Sequence, residues 1–229
     1  GTLMASTRDG RTNWFAIWVT TVAVAAVLAV TVLVVWMNNS TSTPQAAPQA
    51  AMVDGDTGAI MVGTGAADVE VYFDFYCPHC QQFEQVYGPA ISGHLDRGDI
   101  TLHMHPVALG TLNAASGTDF SQRSASALYC VAETSPEAAH PFMEAVFDAA
   151  PTGPGLTDKE LIELASDVGA TDITSCVTDR SYVDFVDAQT GSLPENPDTG
   201  SVGTPALLVN GEYVVLTGDP DADITGRIP

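Results

Sequence analysis

The pattern of apolar and polar positions separates a membrane-like segment from the rest of the chain. Residues Trp14 to Met37 form an apolar run without a charged side chain. As a helix this run is about 36 Å long, enough to span a hydrocarbon core of about 30 Å. Arg8 and Arg11 precede this run, and basic residues that flank a transmembrane helix usually lie on its cytoplasmic side. We therefore predict a cytoplasmic segment 1–13 and a transmembrane anchor 14–37. A cleaved signal peptide is the alternative, although its apolar core is normally shorter.

The rest of the chain has a linker followed by alternating strand and helix patterns. Residues 38–52 are mostly small and polar and predict a linker. Strands are predicted where apolar residues alternate or run briefly, and helices where they recur every three to four residues. The predicted strands are Ala59–Gly63, Val69–Phe75, Ile100–Leu109, Ala206–Asn210 and Glu212–Thr217; the predicted helices are Pro78–Asp96, one from Thr171 to Gln189, and others within a helical block over about 112–198. This order predicts an α/β domain over 53–229 with a helical insertion.

The charge of the chain excludes one class of partner. It has 28 acidic residues and 7 basic ones, a formal net charge of −21. A phosphate backbone requires a basic face, so nucleic acid is not expected as a partner. Self-repulsion keeps such a surface soluble, and an acidic patch that steers basic partners is the alternative interpretation.

The strongest chemical signal is the motif Cys77-Pro78-His79-Cys80. Pro78 suits the first position of a helix, which makes Cys77 the cap and Cys80 the third helical residue. The unpaired N–H groups and positive dipole end of the helix favour a thiolate at Cys77. His79 adds a donor in the same turn. A stabilised thiolate is a good leaving group, so its disulfide is reactive.

Other interpretations of the motif fit less well. A zinc site needs a second matching pair, and the other two cysteines stand alone. A c-type haem site needs histidine directly after the second cysteine, where Gln81 stands. A purely structural disulfide in so short a loop remains possible. Neither a metal nor a cofactor is therefore expected.

Two segments carry a resemblance to a known family. Residues 73–80, Phe-Asp-Phe-Tyr-Cys-Pro-His-Cys, resemble the active-site segment of the DsbA family of disulfide oxidases, and Val202-Gly203-Thr204-Pro205 is similar to its cis-proline loop. The resemblance implies a thioredoxin-like fold with an inserted α-helical domain. It also implies a cis Thr204–Pro205 bond beside Cys77, with the Thr204 backbone pairing to a client chain.

The resemblance implies a function, with alternatives left open. We expect an extracytoplasmic thiol-disulfide oxidase that acts on unfolded exported proteins and is reoxidised by a membrane quinone-linked partner of the DsbB or VKOR type. The chain is expected to be a membrane-anchored monomer. The same fold could run in reverse as a reductase or isomerase. A tethered client-binding module without turnover is the alternative from another class.

The remaining cysteines and carboxylates are less specific. Cys130 and Cys176 fall on apolar helix faces, and outside the cytoplasm a structural disulfide is expected; two buried free thiols are the alternative. Asp74, three residues before Cys77, either tunes the pKa of that thiol or is a solvated strand-end carboxylate. Residues Asp219–Pro229 are too few for the long terminal helix common in DsbA-like proteins, so one sheet face is expected to be less covered.

Overall fold

The computed structural model describes the backbone of residues 14–40, with side chains over 17–31, and all of residues 47–229. The first helix, α1, spans Trp14–Ser40. Among the described residues, no helix combines the length and the apolar character needed to cross a membrane. The predicted cytoplasmic segment 1–13 and residues 41–46 of the predicted linker lie outside the described residues.

Residues 47–229 contain five strands and the remaining helices. The strands are β1 (Ile60–Gly63), β2 (Ala67–Phe73), β3 (Ile100–Pro106), β4 (Ala206–Val209) and β5 (Glu212–Val214). The helices are α2 (Pro78–Arg97), α3 (Gly110–Ser116), α4 (Phe120–Thr134), α5 (Ala139–Asp148), α6 (Asp158–Asp167), α7 (Thr174–Thr178), α8 (Val183–Thr190) and α9 (Pro220–Asp223), with single 3₁₀ turns at Pro136–Ala138 and Thr225–Arg227.

The sheet has the strand order β1-β3-β2-β4-β5. Strands β2 and β3 are parallel and joined by α2, whereas the other pairs are antiparallel. Alternation along β2 buries Val69, Val71 and Phe73 and turns the residues between them outward. The predicted hairpin is confirmed: Asn210 and Gly211 both adopt positive φ values, as a two-residue type I′ turn requires.

Six helices, α3 to α8, lie between β3 and β4, so the predicted α/β fold with an inserted helical block is confirmed. One helix boundary was predicted wrongly. The stretch from Thr171 to Gln189 is divided into α7 and α8 by a turn in which Arg180 has a φ of 58°. Nη1 of Arg180 lies 2.8 Å from Oδ2 of Asp158 on α6, and this ion pair accompanies the interruption.

Candidate active site

The turn after β2 places Cys77 at the start of α2. Cys77 is the N-cap, with extended backbone angles, and Pro78 is the first helical residue. The helix ends at Gly98, whose φ of 72° is the left-handed conformation that glycine adopts without strain. Only 5% of Cys77 and 1% of Cys80 are exposed, and neither cysteine forms a disulfide. In this structure the pair is therefore a dithiol at the N-terminus of α2.

The surroundings of the two thiols separate their acidities. A hydrogen bond from the Cys80 thiol lowers the pKa of Cys77 to about 5, against the opposing effect of burial. The side chain of Thr204 and the backbone N–H groups at the helix start contribute further stabilisation of the thiolate. Burial, followed by the neighbouring Cys77, raises the pKa of Cys80 well above its ordinary value. One sulfur is thus an anion at neutral pH, and the other keeps its proton.

The loop before β4 supplies the second side of the site. The Thr204–Pro205 peptide bond is cis. Because β4 pairs antiparallel with β2, this loop lies at the same end of the sheet as Cys77, where β2 ends and β4 begins. Sγ of Cys77 lies 3.5 Å from the carbonyl oxygen of Thr204. The Thr204 hydroxyl is buried and has no hydrogen-bond partner, and its proximity to the sulfur contributes to the lowered pKa of Cys77. The two motifs of the sequence analysis therefore meet in space.

An open groove lies along α2, beside the active-site motif. Its volume is about 370 Å³. One side is formed by α2 and the other by the cis-proline loop and the chain after β5; the lining residues are His79, Gln82, Phe83, Val86, Tyr87, Thr204, Pro205, Leu216 and Gly218. Pro78 and His79 are exposed beside it. Neither cysteine lines the groove, but His79, Thr204 and Pro205 do, so the groove lies beside the active-site motif.

Asp74 is a site residue whose setting the sequence left open. It is 0% exposed, so it is not a solvated carboxylate. Its Oδ1 accepts hydrogen bonds from the Tyr76 backbone N–H (2.9 Å) and the Ser121 hydroxyl (2.7 Å). Its Oδ2 accepts from the backbone N–H of Leu109 (2.9 Å). Burial raises the pKa of Asp74 to about 6 despite these donors. The carboxyl ties the active-site turn to the start of α3, which Leu109 caps, and to α4.

The other two cysteines form a disulfide away from the dithiol. Cys130 on α4 and Cys176 on α7 are bonded, with their Cα atoms 5.9 Å apart. The bond joins two helices of the insertion, and Cys130 is fully buried. The structure therefore divides the four cysteines into one reduced pair at the sheet edge and one bridge within the helical block.

A thioredoxin-like sheet with a dithiol at a helix start and a facing cis-proline defines a class of thiol-exchange proteins, and comparison with known proteins agrees. A family model described as Thioredoxin matches residues 56–223. Over 168 residues the chain is 29% identical to the thiol:disulfide interchange protein DsbA of Yersinia pestis, which covers 69% of this chain and 72% of that protein.

Solved structures give a similar result. DsbA of Mycobacterium tuberculosis in its oxidized form is 31% identical, with a TM-score of 0.62 over 75% of this chain and 94% of the other. The disulfide bond oxidoreductase DsbG of the same organism is also 31% identical, with a TM-score of 0.64 over 77% and 93% of the two chains. MdbA of Actinomyces oris, a thiol-disulfide oxidoreductase at 23% identity, shares the fold with a TM-score of 0.62 over 81% and 92% of the two chains. The chain belongs to the thioredoxin family, as a DsbA-like thiol-disulfide oxidoreductase.

Most of the groove residues were not predicted from the sequence. Phe83 and Val86 share one helix face with the predicted His79, and this spacing is visible in the sequence. Leu216 and Gly218 carried no comparable signal, because they reach the groove only through the pairing of β4 with β2 and β5.

Proposed function

We propose that this oxidoreductase works as a disulfide oxidase for unfolded exported proteins. The observation that carries the proposal is the stabilised thiolate of Cys77, with a pKa of about 5, whose Sγ lies 3.5 Å from the Thr204 carbonyl oxygen, next to an open groove. A thiolate with so low a pKa is a good leaving group, which makes the Cys77–Cys80 disulfide easy for a client thiol to attack. The stabilised reduced form also makes the disulfide oxidising.

The proposed reaction has two exchange steps. A client thiolate attacks Sγ of Cys77, so that a mixed disulfide forms and the Cys77–Cys80 bond breaks. Cys80 leaves with the electron pair and takes up a proton, which its high pKa favours. The second client thiolate then attacks the client sulfur of the mixed disulfide, and Cys77 leaves as its stabilised thiolate. The client dithiol has lost two electrons, and the enzyme dithiol has gained them.

Each remaining site residue has a proposed role. Pro78 begins the helix that stabilises the thiolate, and His79 stands exposed beside the sulfur at the groove. Thr204 presents its backbone to an extended client and its hydroxyl to Cys77, and Pro205 carries that loop into β4. The Cys130–Cys176 disulfide has a structural role in the insertion.

The proposed location and partners come from the sequence pattern and the family. The apolar run 14–37 would hold the domain at the membrane, with the catalytic head on the extracytoplasmic side. There the disulfide is reoxidised by a membrane quinone-linked partner, of the DsbB or VKOR type, and the chain acts as a monomer. In membrane vesicles that contain the chain, we expect added protease to spare the catalytic head only when the vesicles are inverted. A head that is protected only in right-side-out vesicles contradicts this location.

Single cysteine variants test the chemistry. Oxidised wild-type protein is expected to speed the oxidative folding of a reduced client protein, whereas Cys77→Ser abolishes this activity. Cys80→Ser is the matched control: it keeps the Cys77 thiolate but lacks the thiol that resolves a mixed disulfide. When a client disulfide is supplied, this variant should therefore accumulate a mixed disulfide with the client. Equal client oxidation by wild type and Cys77→Ser contradicts the proposal.

The direction of the reaction is tested by equilibrium with glutathione. An oxidase of this kind is expected near the potential of DsbA, about −120 mV, rather than that of thioredoxin, about −270 mV. A value near that of thioredoxin assigns the site to a reductase and overturns the oxidase proposal.

A further inference from the structure

The far wall of the groove is a segment outside the sheet. Strand β5 ends at Val214, and Leu216 and Gly218 of the following segment line the groove. The backbone N–H of Thr217 donates to Oδ2 of Asp223 (2.7 Å), and that of Gly218 donates to the Tyr87 hydroxyl (2.8 Å). Side chains, and not strand pairing, therefore fix this part of the wall.

Asp223 lies at the centre of this arrangement. Its Oδ2 also accepts a hydrogen bond from the Tyr87 hydroxyl (2.5 Å), and its Oδ1 accepts one from the Thr217 hydroxyl (3.0 Å). Tyr87 is thus a donor to Asp223 and an acceptor from Gly218, which closes a ring of hydrogen bonds between α2, the wall and α9. We call these four residues, Tyr87, Thr217, Gly218 and Asp223, the wall ring.

The hydrogen bonds of the wall ring stabilise a buried carboxylate, that of Asp223. Only 1% of Asp223 is exposed. Burial raises the pKa of Asp223, but the donors Tyr87 and Thr217 outweigh that effect and leave the pKa below its ordinary value. Burial and the adjacent carboxylate raise the pKa of Tyr87 to about 12, so the phenol keeps its proton and remains a donor. Charge-assisted hydrogen bonds of this kind are stronger than neutral ones.

The wall ring is connected through α2 to the end of the groove that lies next to the active-site motif. The aromatic ring of Tyr87 stacks on that of Phe83, with centroids 4.6 Å apart. Phe83 lies one turn after His79 and lines the groove beside it. We infer that Asp223 is a positioning residue, which holds the wall at Leu216 and Gly218 so that a bulky apolar side chain next to the client cysteine can bind. The inference rests on the proposed exchange at Cys77.

The groove lining indicates which clients depend on this wall. Apart from His79, none of its lining residues is ionisable near neutral pH, and Val86 on the α2 side is 45% exposed. A leucine or phenylalanine beside the client cysteine would cover this apolar surface. Unfolded client proteins expose apolar side chains of this kind. Glutathione has a glutamyl residue and a glycine around its cysteine, so it offers no apolar side chain to this surface. A displaced wall should therefore slow apolar peptides and leave glutathione unaffected.

The test compares two cysteine peptides with glutathione as reductants of the oxidised full chain. One peptide has leucines on both sides of its single cysteine, and the other has glycines there. Wild type is expected to react about tenfold faster with the leucine peptide, through a lower KM. In Asp223→Asn and Tyr87→Phe this preference should fall to about twofold, and in Asp223→Asn the glutathione rate should stay within twofold of wild type.

The variants separate positioning from loss of structure. Tyr87→Phe keeps the stacked ring and removes only the hydroxyl, so it decides the question if Asp223→Asn fails to fold. Asp221→Asn, which changes an exposed carboxylate on the same short helix, should behave as wild type. The inference is overturned if the leucine preference survives in Tyr87→Phe, or if peptide and glutathione rates fall together. A wild-type chain that reacts with none of the three reductants instead overturns the proposed function.

Discussion

Replacing Asp74 with asparagine is expected to change how the stability of the domain depends on pH. Asp74 is 0% exposed and accepts hydrogen bonds from Tyr76, Leu109 and Ser121. Asparagine has nearly the same shape but no titrating proton. Its amide group also presents N–H where the carboxylate accepts hydrogen bonds, which adds a destabilisation that does not vary with pH. The pH-dependent part of the difference therefore reports on the carboxyl alone.

The sign and size follow from the pKa of Asp74. Burial raises that pKa from 3.8 to about 6 in the folded protein. Between these values the folded chain binds more protons than the unfolded chain, so its stability falls as the pH rises. At about 1.4 kcal/mol per pH unit, a span of about two units gives a loss of about 3 kcal/mol. The asparagine variant lacks this loss, so it gains about 3 kcal/mol relative to wild type between about pH 4 and pH 7.

The assay is denaturant unfolding followed by circular dichroism at several pH values. The proteins are compared in the oxidised form, so that titration of the Cys77 thiol does not contribute. Asp167→Asn, at an exposed carboxyl on α6, is the matched control and should show the same pH dependence as wild type. A difference between wild type and Asp74→Asn that stays constant from pH 4 to pH 7 would refute the reasoning.

Two further predictions concern other parts of the same domain. Thr204→Val removes the hydroxyl that stabilises the thiolate and should raise the pKa of Cys77, measured by thiolate absorbance; an unchanged pKa contradicts this role. Replacing Cys130 and Cys176 together with serine opens a loop with a sequence separation of 46 and should reduce the free energy of unfolding by about 4 kcal/mol in the chain-entropy model. Equal denaturation midpoints would contradict that expectation.

Local patterns predicted the elements that carry the chemistry. The alternation along β2, the proline after Cys77 and the glycine after Arg97 are sufficient to define a strand followed by a helix. The Asn210-Gly211 pair likewise defines the hairpin. In each case the determining residues are neighbours in sequence, so no distant contact is needed to recognise the element.

Features that depend on distant contacts could not be predicted in this way. The environment of Asp74 is set by Leu109 and Ser121, which follow it by 35 and 47 residues. The contact of Asp223 with Tyr87 spans 136 residues. The division between α7 and α8 accompanies an ion pair with Asp158 on another helix, whereas the apolar spacing alone favours one continuous helix.

The proposed exchange at Cys77 depends most directly on the acidity of this thiol, which can be measured by following thiolate absorbance during a pH titration of the reduced protein. We expect a midpoint near pH 5 that is absent in Cys77→Ser, and a second thiol, Cys80, that does not ionise until well above its ordinary pKa. A single transition near pH 8.5, the value of an unperturbed cysteine, would contradict the account.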